Sequence, residues 1–216
     1  MQKYVKFNEQ AFNAIDFQTG DILLFSGKRC FIANLIKACT CSKYSHAAMV
    51  IKDPEFPNFK AKGIYMIEST TLDPLPDAEN HIRKFGVQIH ILKDVIRTYD
   101  GDVYWRKLHC NRDFDFYQSF NHFHSLVHND PYDFNSVDWM EMALHMYLID
   151  RQVRFEFVCS ALVSYGLVVT GSLASDTPWT LIRPCDLGTE SSIKRYPLSF
   201  RKGCFLDDEV KIILGI

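Results

Sequence analysis

The sequence predicts an α+β fold in which a small antiparallel sheet packs against helices. Short apolar runs between turn residues fill the first half of the chain, as strands do. After Cys110, apolar residues recur at helical intervals. Hydrophobic residues make up 47% and charged residues 23% of the 216 positions, which is typical of a globular protein. No repeat or linker divides the chain, so we predict one domain over residues 1–216.

Most of the predicted strands precede Cys110. A helical lead-in is expected before the first of them, and a strand-like run, EVKIIL, lies near the end of the chain. The other predicted strands are Thr19–Gly27 (TGDILLFSG), Tyr44–Lys52 (YSHAAMVIK), Ile64–Ser69 (IYMIES), GVQIHIL from Gly86 and GDVYWRKL from Gly101.

The predicted helices follow from apolar residues spaced three and four apart. Phe116, Phe120, Phe123 and Val127 indicate one helix within Asp113–His128. A helical insertion around 112–148 is therefore expected. The other predicted helices are Cys30–Thr40, Asn135–Leu148 and the FVCSALVSYGL segment that contains Cys159.

Charge and composition exclude several classes of protein. The net charge is −2 and the basic residues are scattered, so no nucleic-acid partner is expected. No segment is long enough to cross a bilayer, and the start lacks the apolar core of a secretory signal. Seven cysteines at irregular spacing favour reduced thiols. We therefore expect a cytoplasmic protein with no transmembrane segment.

Cys159 has the sequence context of an activated thiol, because it precedes an apolar helix. Exposed amides at a helix start favour a thiolate and can hold the negative oxygen that forms when a carbonyl is attacked. His46 begins a short strand, which would hold an imidazole base in a fixed direction. Glu68, near the end of the next strand, could orient that base. On residue types alone, each has a structural alternative: a buried apolar cysteine, a core histidine and a solvated strand end.

The order of the motifs adds to this interpretation. It resembles the permuted papain-like cysteine proteins of the NlpC-like superfamily, in particular the YiiX-like branch, which has poxvirus relatives and is akin to the lecithin–retinol acyltransferase group. The resemblance implies a circularly permuted papain-like fold, with Cys159 as nucleophile, His46 as base and Glu68 as the third, orienting residue. The motifs that carry it are GDILLF, YSHAAMV, IEST, YDF, FVCSALVSYGL and RPCDL (Arg183–Leu187).

The resemblance implies a cysteine hydrolase that cleaves an amide, ester or thioester through an acyl-enzyme. Expected substrates are peptides, amino-acid amides or lipid acyl groups, and no cofactor or metal is needed. The alternatives are an acyltransferase, and a non-enzymatic binding or virion-associated protein that retains the fold. A virus-encoded protein fits the poxvirus relatives, and the sequence leaves the oligomeric state open.

A histidine-rich segment, HFHSLVH, offers another possibility. His124 and His128 are one helical turn apart and could share a metal ion. The sequence shows no further glutamate, cysteine or histidine that completes the set. We therefore predict no metal site, and a metal-dependent hydrolase built on this insertion remains a rival hypothesis.

Overall fold

The computed structural model describes residues 3–7, 12, 15–28, 43–70, 75–128, 159–189 and 197–214. The predicted helices Cys30–Thr40 and Asn135–Leu148 lie outside these ranges. The strands are β1 (Lys3–Phe7), β2 (Ile22–Gly27), β3 (His46–Lys52), β4 (Glu55–Phe56), β5 (Phe59–Lys60), β6 (Ile64–Thr70), β7 (Gly86–Ile91), β8 (Gly101–Arg106), β9 (Leu108–His109), β10 (Phe205–Leu206) and β11 (Val210–Leu214). The helices are α1 (Leu92–Thr98), α2 (Phe114–Val127) and α3 (Cys159–Val169), with a 3-10 turn at Trp179–Leu181.

The main sheet has seven strands in the order β1-β11-β8-β2-β3-β6-β7. Every neighbouring pair is antiparallel except β1 with β11, which is parallel. The α+β class with an antiparallel sheet packed against helices is therefore confirmed. The single domain over residues 1–216 stays a prediction, because part of the insertion around 112–148 lies outside the described residues.

The start of the chain corrects one prediction. A helical lead-in was expected; Phe12 within it is helical, but Lys3–Phe7 is a strand paired with β11 from the other end of the chain. The segment KYVKF contains tyrosine, valine and phenylalanine, which favour extended backbone. Five residues are also too few for a stable helix, whereas a sheet edge supplies backbone hydrogen bonds at once.

Two apolar clusters cover the two faces of the sheet. On one face, α2 and α3 pack against residues such as Met49 and Ile67. On the other, α1 packs against residues such as Val50 and Met66. The interior of β3 is thus buried on both sides, which explains its continuous apolar sequence. None of the described helices is long and apolar enough to cross a membrane.

Helix α2 forms as its spacing predicts. Asp113 caps its start by accepting a hydrogen bond from the Phe116 N–H at 3.0 Å. The apolar residues at helical spacing are all buried on its inner face: Phe116, Phe120, Phe123 and Val127.

Gly166 of helix α3 packs against side chains of β3 and α2 that leave no room for a side chain. A Cβ atom at this position would come within 3.0 Å of the Met49 Cε atom and 3.1 Å of the Phe123 ring. The close approach holds the helix that carries Cys159 against β3, and α3 also packs on β6.

Asp21, from the GD motif, is a fully buried carboxylate that joins β2 to the chain after β8. It accepts hydrogen bonds from the N–H groups of Gln18 and Leu108, the Trp105 indole and the Arg112 guanidinium, at 2.8–3.1 Å. Burial nevertheless raises the pKa of Asp21. The aspartate of the GD motif is therefore a structural residue in this fold.

We predict that Asp21→Ala lowers the free energy of unfolding by about 3 kcal/mol, because buried donors lose their acceptor. Urea denaturation followed by circular dichroism measures the change. Asp16→Ala is the matched control, since this nearby carboxylate is 62% exposed and its loss should cost less than about 1 kcal/mol. Equal losses in the two variants would contradict the structural role of Asp21.

Candidate functional site

His46 and Glu68 come together because β3 and β6 are antiparallel neighbours. Met49 lies opposite Ile67, so one step further along sets Ala48 opposite Glu68. His46 is then the diagonal neighbour of Glu68 on the same face, within reach of a long side chain. The long connection between the strands does not disturb this register, because it folds into the small β4–β5 hairpin.

The Glu68 carboxylate is bonded on both oxygens. His46 Nε2 donates to Oε2 at 2.5 Å, and His90 Nδ1 donates to Oε1 at 2.8 Å. The Glu68 side chain is only 4% exposed. Burial by itself raises the pKa of Glu68, but the hydrogen bonds from the two histidines hold it at about 2. Glu68 is therefore ionised at every physiological pH.

The ring of His46 lies between Glu68 and Cys159. Burial by itself lowers the pKa of His46, but attraction to Cys159, a hydrogen bond with its sulfur and the Glu68 carboxylate raise it to about 10. Because Nε2 is bonded to Glu68, Nδ1 is the ring nitrogen left for Cys159. The His46 side chain keeps 19% of its surface exposed, so the site has an opening to solvent. All three residues predicted from the sequence are thus brought together.

Cys159 is the first residue of α3 and is 7% exposed. The first amides of a helix have no intrahelical acceptor. That such amides and the helix dipole stabilise a negative atom at Cys159 stays a prediction, because the residues just before Cys159 lie outside the described ranges. Cys159 is therefore a buried thiol beside an imidazole, unlike a cysteine that serves only as a core residue.

His90 is the site residue that the sequence reasoning missed. It lies on β7, the strand next to Glu68, and is 1% exposed. In GVQIHIL it alternates with apolar residues, which indicates a polar face in contact with solvent. In the structure that face is covered by α1, so His90 is buried and bonds Glu68 instead.

Gln88 is a second polar residue of β7 at this site. It lies directly opposite Glu68 and is 1% exposed. Within the part of the chain that the structure describes, its side-chain amide has no hydrogen-bond partner. Leaving a buried polar group without a partner costs about 1–3 kcal/mol, so Gln88 is a destabilising feature of the strand next to Glu68.

The RPCDL segment has a structural role. Arg183 and Asp186 form a bidentate ion pair, with N···O distances of 2.8 and 2.9 Å, and Asp186 is 1% exposed. The carbonyl oxygen of Leu187 accepts a hydrogen bond from Arg106 of β8. The segment therefore fastens the chain after α3 to the centre of the sheet.

Comparison with known proteins concerns the fold alone. No family model matches the sequence, and no curated protein matches it. Among solved structures, the chain is similar to the metalloprotein yiiX from Escherichia coli O157:H7, at 15% sequence identity and a TM-score of 0.49. The similarity covers 89% of this chain and 97% of that one.

Proposed function

We propose that the chain is a cysteine hydrolase that cleaves an amide, ester or thioester bond through an acyl-enzyme. Cys159 is the nucleophile, His46 the base and Glu68 the residue that orients the base. The observation that supports the proposal is the position of the His46 ring, which is hydrogen-bonded to the Glu68 carboxylate and close enough to Cys159 for that residue to raise the pKa of His46. The proposal includes the permuted papain-like relationship that the motif order implies.

The first step makes the acyl-enzyme. With a pKa of about 10, His46 already carries the Cys159 proton on Nδ1 at neutral pH, and the thiolate sulfur attacks the substrate carbonyl to form a C–S bond. The negative carbonyl oxygen accepts hydrogen bonds from the Cys159 N–H and the following amides of α3. The bond to the leaving amine, alcohol or thiol then breaks, and the proton on His46 passes to that group.

The second step releases the product. Water attacks the thioester carbonyl, and His46 takes its proton. The C–S bond breaks, and the proton returns to the Cys159 sulfur, so the enzyme is restored with atoms and charge balanced. Throughout both steps, Glu68 fixes the tautomer of His46 and stabilises its protonated ring.

The proposal also covers the molecule that accepts the acyl group and the class of substrate. With water as acceptor the protein is a hydrolase, and with an amine or alcohol it is an acyltransferase. Peptides, amino-acid amides and lipid acyl groups all present the required carbonyl. This chemistry needs no organic cofactor. A cytoplasmic and virus-encoded origin stays a prediction from the sequence.

We predict that a cysteine-directed electrophile modifies Cys159 before the more exposed Cys110 and Cys204. Exposure alone would give the reverse order, because Cys159 is buried and the other two are half-buried. Burial also raises the pKa of Cys110, which makes its thiolate scarcer. Timed iodoacetamide labelling with mass spectrometry measures the order.

His46→Ala should slow the labelling of Cys159 by about 100-fold or more, because the base is lost. The control is His122→Ala, an exposed histidine of α2 outside the site, which should leave the rate unchanged. Uniform slow labelling of all accessible thiols in the unmodified protein would instead support a binding protein that only retains the fold.

We predict that Glu68→Gln lowers the pKa of His46 from its value of about 10. The carboxylate favours the protonated ring, so its loss favours the neutral one. The alkaline limb of the rate profile should move to lower pH, since the neutral ring cannot protonate a leaving group. NMR titration of the His46 ring, assigned with His46→Gln, measures the shift. Cys159→Ala should also lower this pKa, and no movement in either variant would exclude the proposed coupling.

A further inference from the structure

A second set of one carboxylate and two histidines lies where α2 ends. Glu79 Oε1 is 3.2 Å from His124 Nε2, and Glu79 Oε2 is 2.8 Å from His128 Nδ1. One ligand atom from each residue lies within 4.8 Å of the others. The set shares no residue with Cys159, His46 and Glu68, and the proposed reaction does not use it.

The contact between Glu79 and His124 is not that of a simple hydrogen-bonded pair. Their side chains are 5% and 6% exposed. Among the described residues, Glu79 Oε1 and His124 Nε2 have no hydrogen-bond partner, because the atoms are close but poorly aligned for one. Each such group costs about 1–3 kcal/mol if nothing satisfies it. A cation between the two atoms would satisfy both.

From these observations we propose that Glu79, His124 and His128 bind a divalent transition-metal ion of the zinc type. Zinc bonds of about 2.0–2.2 Å at tetrahedral angles set neighbouring ligand atoms about 3.4 Å apart, near the 3.2 Å between Glu79 Oε1 and His124 Nε2 and within the 4.8 Å limit for the set. Two imidazoles and one carboxylate suit zinc, whereas magnesium and calcium prefer oxygen ligands alone. The His128 side chain is 27% exposed, so a water molecule can fill the fourth position.

The histidine ligands are held in place before any metal binds. The His124 ring stacks on Phe56, with centroids 3.6 Å apart and planes 6° apart. The His128 N–H donates to the His124 carbonyl at 2.7 Å, so His124 lies in the last turn of α2 and His128 caps its end. The negative end of the helix dipole is at that turn and favours a cation there.

The carboxylate ligand is fixed by its own loop. Asp77 is fully buried and its Oδ1 accepts hydrogen bonds from the Glu79 N–H at 3.4 Å and the Ile89 N–H of β7 at 2.9 Å. Lys84 pairs with the other Asp77 oxygen at 2.6 Å. The proposed metal ion would therefore fasten the loop before β7 to the end of α2.

We predict that the full-length, chelator-treated and reduced protein binds one equivalent of Co²⁺ as a probe for zinc. The complex should show the visible absorption of a four-coordinate ion without a sulfur-to-cobalt charge-transfer band, because no thiolate is a ligand. Zinc should displace the cobalt and raise the Tm, since it binds the folded state.

Glu79→Gln and His128→Gln should each weaken metal binding by about 100-fold or more. Even the loss of a residue that only hydrogen-bonds a metal ligand costs about 10–100-fold in metal affinity. His122→Gln, on the same helix but outside the set, is the matched control and should bind as the unmodified protein does. Circular dichroism verifies that each variant is folded. The proposal is overturned if stoichiometric binding is absent, if a charge-transfer band shows thiolate ligation, or if both ligand variants bind normally.

Discussion

The hydrogen bonds of the Glu68 carboxylate are the interaction on which the candidate site depends. A buried carboxylate is tolerated only when its oxygens are bonded, and Glu68 bonds His46 on one neighbouring strand and His90 on the other. Both bonds require the observed register of β3, β6 and β7, because a slip of one residue would turn the side chains to opposite faces. Strand pairing thus fixes the position of the His46 ring beside Glu68, and α3 places Cys159 next to that ring.

Much of the fold could be predicted because its elements carry local signals. The apolar runs of β2, β3 and β6 lie between turn residues, and α2 shows its buried phenylalanines at helical spacing. The strand Lys3–Phe7 was missed because β1 depends on a partner strand at the opposite end of the chain. The local sequence can favour extended backbone, but it does not show which distant segment a strand pairs with, so a local interpretation misses the pairing.

Some residues of the two proposed sites could likewise be predicted from the sequence, and others could not. His46, Glu68 and Cys159 could be proposed from residue type and position, and the order of the motifs connected them. His90 could not, because an alternating strand looks the same whether its polar face meets water or a covering helix. Glu79 could not either, since the loop that carries it shows no metal-ligand spacing to the histidines of α2. Contacts between distant segments decide both cases.

The loop before β7 also has a consequence for the sheet as a whole. β7 is a terminal strand, and such strands offer free backbone groups to which other chains can add, a common route to aggregation. Here the Ile89 N–H donates to the Asp77 side chain and the Ile89 carbonyl accepts from the Ala78 N–H at 2.7 Å. The middle of the β7 edge is therefore already hydrogen-bonded to the protein's own chain. This opposes edge-to-edge pairing of sheets from separate molecules.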